Sequence, residues 1–549
     1  MRKITSGLLA SAFLLLFVPA LAAEPLPDYI TKQIGWEAQD GSPQSPIHVT
    51  LLPDSRLFFF EAPFTMTPTP FWQWRNEDLP DKVTVTINRP PLPLWFPGVQ
   101  FGPWTVIDTI TCAGHTLAED GSLMVVGGMR LVSDKPVTQF GDYAAVFGLS
   151  IALSFNPASQ SWSTLAPMIG SGQTDLAGPG VRWYPTATRL ANGKTMVTGG
   201  VELVLPVVLQ NRSVEVYDPT AGGWTLLSGH QDTPPAIYNR DYSHVFQLPA
   251  RVAGSFDILM LGEFGQPVLM STDGPQRWRV STQLRPGAQA GESSNYGTSS
   301  ALLPIRLEQN WGYSNGAIVM AGGQHGTAHE HSIDVYDPVQ DRWLARIDMG
   351  IGRHHPSTVL LPDSRVLILA GHNDSGSNPG YAQYLDPANG FSLTRGAVEI
   401  PETRGYHTIT VLLPDGRVFL GSGSDDGKPG SEKPNFRYYY PDYMGKSRPG
   451  LLAAQETLQV GQYFWSVTAG KTHIAELVLV SLGSMTHSYD MNQRLVQVPI
   501  AWRGDLGEHS YQIGQAPASA EQAPPGHYML FALDENRVPS VAKVVRLTR

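Results

Sequence analysis

The sequence predicts an all-β protein, with a seven-bladed β-propeller followed by an immunoglobulin-like β-sandwich. Three observations lead to this prediction: a strand–turn–strand pattern recurs seven times, charged residues are sparse, and turn-forming residues are abundant, with 55 Gly and 45 Pro in 549 residues. A chain of this length exceeds the usual limit of about 250–300 residues for one hydrophobic core. It should therefore contain several domains or repeats, built from short strands.

The recurring pattern is an apolar strand, a turn with Asp, Asn or Gly, a second apolar strand and often a glycine pair. Several copies continue with Asp-Pro or Asn-Pro and then Trp, as in YDPTAGGW and YDPVQDRW. Repeats of this kind, spaced by roughly 50–70 residues, indicate kelch-type propeller blades. Seven blades fit a closed ring, which protects strand edges and leaves a central channel. The copies begin at Leu51, Leu117, Leu190, Leu248, Leu302, Leu360 and Leu412.

The domain limits follow from changes in composition. Residues 1–23 have the layout of a signal peptide, with Arg2 and Lys3 before an apolar run and small residues after it. The repeats assign 24–438 to the propeller, and alternating strands assign 439–549 to the sandwich. No later segment reaches the ~20 apolar residues of a membrane span. We therefore expect a secreted or periplasmic protein without a membrane span.

Net charge and cysteine content exclude some classes of function and structure. The net charge is −10 and no basic patch is evident, which argues against a nucleic-acid partner. Cys112 is the single cysteine of the sequence, so an intrachain disulfide is impossible. In an exported protein such a cysteine is buried and inert, paired between chains, or committed to chemistry.

Several polar residues share one position in the repeats. Cys112, Tyr184, His355 and His407 each lie eight residues before the turn residue of their repeat, and Tyr406 precedes His407. Equivalent positions of different blades lie on one ring around the axis, so these side chains should converge. A single Tyr or His there can simply cap a blade. Together, imidazole nitrogen and phenolate oxygen point to an N/O metal site that suits copper.

Five segments resemble the hallmark segments of glyoxal oxidase-like members of the galactose oxidase/glyoxal oxidase family of copper-radical oxidases. The resemblance covers almost the whole chain after the signal peptide, and its last two segments lie in the C-terminal domain. The segments are CAGHTLAEDGSLMVVGG, RWYPTATRLANGKTMVTGG, RGYHTITVLLPDGRVFLGSG, MTHSYDMNQRLVQV and PPGHYMLFALDENRVPSVAKVVRL.

The resemblance implies a cofactor and a ligand set. Cys112 would be joined through sulfur to the ring of Tyr184, which forms a tyrosyl radical cofactor. One copper ion would be held by Tyr184, Tyr406, His407 and His487, the last supplied by the C-terminal domain. Tyr406 would also act as general base. The implied enzyme oxidises small aldehydes or primary alcohols with O2 and releases H2O2.

One position departs from the galactose oxidase pattern. There a tryptophan follows the glycine pair and stacks on the cross-linked tyrosine, whereas Glu202 stands at that position here. We therefore expect Tyr184 to lack an aromatic shield and the entrance to be wider and more polar. Glu202, Tyr242 and His355 are assigned to the second shell or the substrate mouth.

Two further histidine patterns suggest metal sites outside the ligand set named above. The segment Gln324–His331 has the composition of a metal-binding cluster, but its position between a glycine pair and the next YDP motif favours a solvated loop. His115 could form a Cys-His zinc pair with Cys112, but the resemblance assigns that cysteine elsewhere. The alternative function is a secreted, non-catalytic kelch propeller that binds carbohydrate or protein. A binding module has no reason to retain the complete copper and radical set.

Overall fold

The computed structural model describes residues 28–549 except 61–63, 67–78, 87, 93–98, 102–103, 135–144, 174–177, 205–207, 275, 290, 294, 307–310, 327 and 426–431. The predicted signal peptide lies outside the described residues. The protein is all-β, as predicted, and the helical segments among these residues are single 3-10 turns. No helix in the described ranges has the length and apolar character needed to cross a membrane.

In the described part of the chain, each of the seven repeats forms two antiparallel strands of a separate sheet. The first strand of each repeat lies at the inner edge of its sheet, except that sheet 1 carries two further short strands there. We number the sheets 1 to 7 by these inner strands, which are His48–Leu51, Gly114–Leu117, Thr186–Arg189, His244–Val252, Ser299–Leu302, His354–Leu360 and Thr408–Leu412.

Sheets 2 to 6 each have four strands in chain order. Their other strands are Leu123–Val126, Ala152–Asn156 and Ser161–Thr164 in sheet 2; Thr195–Thr198, Val214–Asp218 and Gly223–Ser228 in sheet 3; Phe256–Leu261, Pro267–Met270 and Trp278–Val280 in sheet 4; Ile318–Ala321, Ser332–Asp337 and Arg342–Asp348 in sheet 5; and Val366–His372, Tyr381–Asp386 and Ser392–Glu399 in sheet 6.

Sheets 1 and 7 combine strands that are distant in sequence. Sheet 7 continues from its inner strand through two C-terminal neighbours to strands from the start of the chain, and its last pair is parallel. Sheet 1 receives a hairpin from the C-terminal part. The added strands are Val418–Ser422, Asn435–Tyr440, Ile34–Ala38, Lys82–Val85 and Tyr29–Ile30 in sheet 7, and Leu57–Phe60, Phe64–Met66, Ser484–Thr486 and Tyr489–Asp490 in sheet 1.

Inner strands of consecutive sheets lie side by side. Direct contacts join sheets 2 to 3, 3 to 4, 5 to 6, 6 to 7 and 7 to 1. Between sheets 1 and 2, Thr50 Oγ1 lies 3.2 Å from His115 Nδ1. Between sheets 4 and 5, Ser300 Oγ lies 2.7 Å from His244 Nδ1. Residues at the entrances of different sheets are thereby brought close together.

The predicted Asp/Asn-Pro motifs cap the turn between the last two strands of a sheet. In sheet 3 the Asp218 carboxylate accepts a hydrogen bond from the Thr220 amide at 2.9 Å. The aromatic residue that precedes the turn packs on the following Trp, with ring centroids 5.2 Å apart for Tyr217 and Trp224. Each motif therefore holds the two outer strands together.

The remaining strands of the described ranges form one peripheral sheet, one short hairpin and two C-terminal sheets. The peripheral strands are Val99–Phe101, Trp104–Thr109, Met129–Ser133, Ala145–Gly148, Val201–Val204 and Leu209–Gln210, and the hairpin is Gln324–His325 with Ala328–His329. The C-terminal strands are Leu451–Ala454, Tyr463–Ala469, His509–Gln515 and Ile500–Leu506 in one sheet, and Thr457–Gln459, Lys543–Thr548, Gly526–Asp534, Ile474–Ser481 and Leu495–Val498 in the other. The described residues also contain the 3-10 turns Pro235–Ile237, Pro387–Asn389 and Asp442–Gly445.

Glu476, in a C-terminal strand, should make stability depend on pH. Burial raises the pKa of Glu476 to about 7, and Arg537 offsets part of that effect. Because the unfolded carboxyl ionises at its ordinary pKa, folding becomes less favourable as the pH rises from about 4.5 to about 7. Glu476→Gln should remove this slope from the unfolding midpoint, measured by calorimetry. Glu535→Gln, at an exposed carboxylate, is the control; equal slopes in both variants would contradict the assignment.

Candidate metal and radical site

Four residues at the shared repeat position adopt the same uncommon backbone conformation. Cys112, Tyr184, His355 and His407 have φ values of 55°, 63°, 54° and 67°, in the left-handed region that L-residues rarely adopt. Each stands at or beside the entrance of an inner strand. The positive φ therefore recurs at one structural position in sheets 2, 3, 6 and 7. Strained backbone of this kind clusters at functional sites.

The structure brings together all five residues assigned to the copper and radical centre. We call Cys112, Tyr184, Tyr406, His407 and His487 the central site. The hydroxyl oxygens of Tyr184 and Tyr406 are 2.7 Å apart. Sγ of Cys112 and one nitrogen of each histidine lie within 4.8 Å of one another. All five side chains are buried.

A hairpin from the C-terminal part delivers His487. Its strand Ser484–Thr486 pairs with His48–Leu51 of sheet 1. The Tyr489 hydroxyl hydrogen-bonds both backbone groups of Val245 in sheet 4, at 2.8 and 2.5 Å. Ser299 Oγ of sheet 5 donates to the Ser488 carbonyl at 2.6 Å. The hairpin is thus held by three sheets, which places His487 among residues from the repeats.

Hydrogen bonds leave one nitrogen of each central histidine directed at the site. Nδ1 of His407 lies 2.5 Å from the Glu432 carboxylate, and its Nε2 is buried without a hydrogen-bond partner. Nδ1 of His487 lies 2.5 Å from Thr486 Oγ1, and its Nε2 lies 3.7 Å from Cys112 Sγ. A carboxylate on the outer nitrogen fixes the tautomer of a metal-binding imidazole. This arrangement fits a metal ion between the rings.

The phenols need a cation before they can ionise together. Burial raises the pKa of Tyr184 well above its ordinary value, and the neighbouring Cys112 and Tyr406 add to this. Burial likewise raises the pKa of Tyr406, followed by the effect of Asp241. Two adjacent buried phenolates repel each other, whereas a divalent cation stabilises both. The donor set of two phenols and two imidazoles therefore fits Cu(II).

Three residues next to the central site were missed by sequence reasoning. His48 Nε2 accepts a hydrogen bond from the Cys112 amide at 3.0 Å. Burial, together with the nearby charge of Glu263, raises the pKa of Asp241, a neighbour of Tyr406, to about 8. The Glu432 carboxylate orients the ring of His407 through Nδ1. None of these residues lies in the shared repeat register, so the repeat pattern carried no signal for them.

The expectation that Tyr184 lacks an aromatic cover is wrong. The ring of Trp183 packs on Tyr184, with centroids 4.5 Å apart and planes inclined by 33°. Glu202 lies in the peripheral strand Val201–Val204 and is fully buried. Its carboxylate is so near Gly172 that a Cβ there would approach Oε2 to 2.5 Å. Glu202 therefore lines no open entrance, and the aromatic cover comes from the residue preceding Tyr184.

The other assigned neighbours lie inside the molecule. Tyr242 is fully buried and its ring contacts Tyr184 and His487 at centroid distances of 5.4 and 5.2 Å, so it lines no opening. The buried ring of His355 lies edge-on to Tyr406 at 4.9 Å. His115 lies 2.6 Å from Ser484 Oγ through Nδ1, and thereby connects sheet 2 to the C-terminal hairpin.

Comparisons with known proteins agree with this architecture. Residues 448–547 match the family model described as galactose oxidase-like, early set domain. A solved structure described as a novel fungal alcohol oxidase of the AA5 family, in complex with copper, superimposes with a TM-score of 0.68 at 18% identity. The superposition covers 95% of this chain and 100% of that structure, so the two proteins share a fold.

Two curated relatives extend the comparison. The chain is 29% identical over 410 residues to aldehyde oxidase GLOX1 of Arabidopsis thaliana, covering 67% of this chain and 63% of the relative. It is 31% identical over 468 residues to galactose oxidase of Gibberella zeae, covering 80% of this chain and 61% of the relative. The chain thus spans a little over three fifths of the length of both relatives.

Fold and site together define an all-β protein with a buried centre of phenol, imidazole and thiol groups. The similarities identify its relatives. This chain is similar to galactose oxidase and to a plant aldehyde oxidase, in agreement with the resemblance found in its sequence.

Proposed function

We propose that the protein is a copper-radical oxidase that oxidises small aldehydes or primary alcohols with O2 and releases H2O2. The observation that carries this proposal is the convergence of the central site from residues far apart in sequence. In particular, Tyr184 and Tyr406 meet at 2.7 Å beside His407 and His487. The plant aldehyde oxidase and the fungal galactose oxidase support the two substrate classes.

We assign Tyr184, Tyr406, His407 and His487 as the residues that would hold one copper ion. When bound, copper and a thioether-linked Cys112–Tyr184 pair would each supply storage for one electron. Oxidation of a primary alcohol removes two electrons and two protons, which convert O2 to H2O2. An aldehyde enters the same balance as its hydrate and leaves as a carboxylic acid.

The protein's own residues would move the protons and shield the radical. Tyr406 is the proposed general base, because its hydroxyl meets that of Tyr184 and its ring adjoins the ring of His407 at 4.0 Å. Asp241, whose pKa is raised to about 8 by burial, would retain a proton near Tyr406. Trp183 would cover the radical-bearing ring and limit its access to solvent.

We also propose the finer architecture. Seven sheets with adjoining inner strands support a closed seven-bladed kelch-type propeller over residues 24–438. The two C-terminal sheets support an immunoglobulin-like sandwich over 439–549. The composition of residues 1–23 supports export to the periplasm or the exterior.

The decisive experiment measures H2O2 from copper-loaded protein with glyoxal, methylglyoxal, a simple primary alcohol and galactose. We expect one molecule of H2O2 for each molecule of oxidised product. Tyr406→Phe should reduce kcat/KM by at least about 100-fold, because it removes a general base. Tyr463→Phe, at an exposed tyrosine of the C-terminal sheets, is the matched control. Copper binding without peroxide from any of these substrates would instead favour a non-catalytic propeller.

A further inference from the structure

We propose that His329, His354 and His372 form a second transition-metal site, separate from the central site. One nitrogen of each ring lies within 4.8 Å of the other two. None of these residues belongs to the central site, and the proposal does not depend on its chemistry. We call this group the three-histidine site.

Sheet 6 positions two of the three rings. His354 and His372 are paired across its first two strands, and His354 Nδ1 lies 3.2 Å from His372 Nε2. Two nitrogen ligands about 2.0–2.1 Å from one metal ion lie roughly 3.3 Å apart at a tetrahedral angle. The observed separation fits two ligands of one ion. The backbone at Gly297 lies against Nε2 of His354, so Nδ1 is the nitrogen that faces His372.

His329 completes the site from the short hairpin Gln324–His325 and Ala328–His329, which lies between the second and third strands of sheet 5. Its ring stacks on His354 with centroids 5.0 Å apart and stands edge-on to His372 at 4.9 Å. The segment Gln324–His331, interpreted from sequence as a solvated loop, thus contributes one ring to an inner cluster. Three adjoining imidazoles cannot all be protonated, since like charges at this spacing repel. Each neutral imidazole keeps one nitrogen lone pair, which is the form that binds a metal ion.

Asp374 supplies a carboxylate at the outer side of the site. Its Oδ1 accepts a hydrogen bond from the His329 amide at 3.0 Å and lies 3.8 Å from His329 Nδ1. Its Oδ2 lies 3.0 Å from His331 Nε2. The side chains of Asp374 and His331 are about half exposed, at 53% and 51%, so a hydrated ion can enter there. Carboxylates beside metal-binding imidazoles orient the rings and increase affinity.

The donor chemistry favours copper. Three imidazole nitrogens suit Cu(II) and Zn(II), and divalent copper binds a given nitrogen site more tightly than zinc. The two sites do not share a ligand, although they are neighbours. The ring of His355 lies 4.1 Å from that of His354 on one side and 4.9 Å from that of Tyr406 on the other.

The test counts copper in variants that empty one site at a time. Each protein is loaded with CuSO4, dialysed exhaustively and analysed by mass spectrometry for metal per chain. We expect two copper ions in the parent, one in the double variant His407→Ala/His487→Ala, and one in His354→Ala. His325→Ala, at a histidine of the same hairpin outside the cluster, should retain both.

Spectroscopy of the double variant identifies the ligands of the remaining ion. Its Cu(II) EPR spectrum should show hyperfine coupling to nitrogen, which His329→Ala should weaken. His329→Ala also replaces His354→Ala if the latter fails to fold, because His329 lies outside sheet 6. If the folded double variant binds neither copper nor zinc, the three rings form only a hydrogen-bonded cluster and the proposal is wrong. If the parent protein binds copper at the three-histidine site but produces no peroxide, the proposed function is wrong and the second site still stands.

Discussion

His487→Ala should remove one copper ion per chain from the protein and reduce peroxide production by more than about 100-fold, while the sheets remain folded. Loss of an orienting partner alone costs 10–100-fold in metal affinity, and loss of a ligand should cost more. The hairpin should stay docked, because Tyr489 and Ser488 keep their hydrogen bonds to sheets 4 and 5. Metal analysis, a peroxide assay and thermal unfolding measure the three outcomes.

The control for this variant is His473→Ala, at an exposed histidine of the C-terminal part. It should retain the metal content and activity of the parent. If His487→Ala keeps all its copper, His487 is not a ligand and the assignment carried over from the family is incorrect. If instead both copper and folding are lost, the experiment should be repeated with His487→Gln, which preserves more of the side-chain volume.

The repeat pattern predicted the inner half of the structure well. The seven copies identified two strands in each of seven sheets, because both strands and their turn lie in one continuous segment. The shared register also identified Cys112, Tyr184, His355 and His407, which the structure places in one backbone conformation. These features depend on residues that are close together in the sequence. They can therefore be predicted without knowledge of the contacts between distant segments.

The outer strands and the inserted segments were not predictable in the same way. The parallel pairing of Ile34–Ala38 with Lys82–Val85, and the peripheral sheet that contains Val201–Val204, depend on contacts between distant segments. No repeat marks either of them. The position of Glu202 was therefore inferred from family spacing, which does not fix the course of a strand that leaves its sheet.

The residues around the central site were also not predictable from the repeat pattern. His48, Asp241 and Glu432 reach it from turns and strands with different registers, so no periodic signal marks them. Trp183 adjoins Tyr184 in sequence, but only the three-dimensional backbone at the positive φ of Tyr184 shows that the two rings overlap. The role of His329 in the segment 324–331 was likewise not predictable, because sheet 6 brings His354 and His372 beside it only in the folded structure.

Exposure to copper and O2 should join Cys112 to Tyr184 through a thioether. The two residues are already held together, because the Tyr184 amide donates a hydrogen bond to the Cys112 carbonyl at 3.0 Å. The His48 contact to the Cys112 amide fixes the same backbone from the other side. Both side chains also face His487, within ring contact for Tyr184 and at 3.7 Å for Cys112 Sγ. These contacts hold both residues beside His487 before the bond forms.

The cross-link has a signature that does not depend on activity. Its formation releases two hydrogen atoms, so the intact mass should fall by that amount and peptide mapping should recover the two residues as one branched peptide. Protein kept free of copper should retain an alkylatable thiol, which serves as the control. Cys112→Ser should bind copper but lose at least about 100-fold in peroxide production, because its tyrosine lacks the sulfur that stabilises a radical. A fully alkylatable Cys112 after copper and O2 treatment would rule out the thioether and with it the radical cofactor.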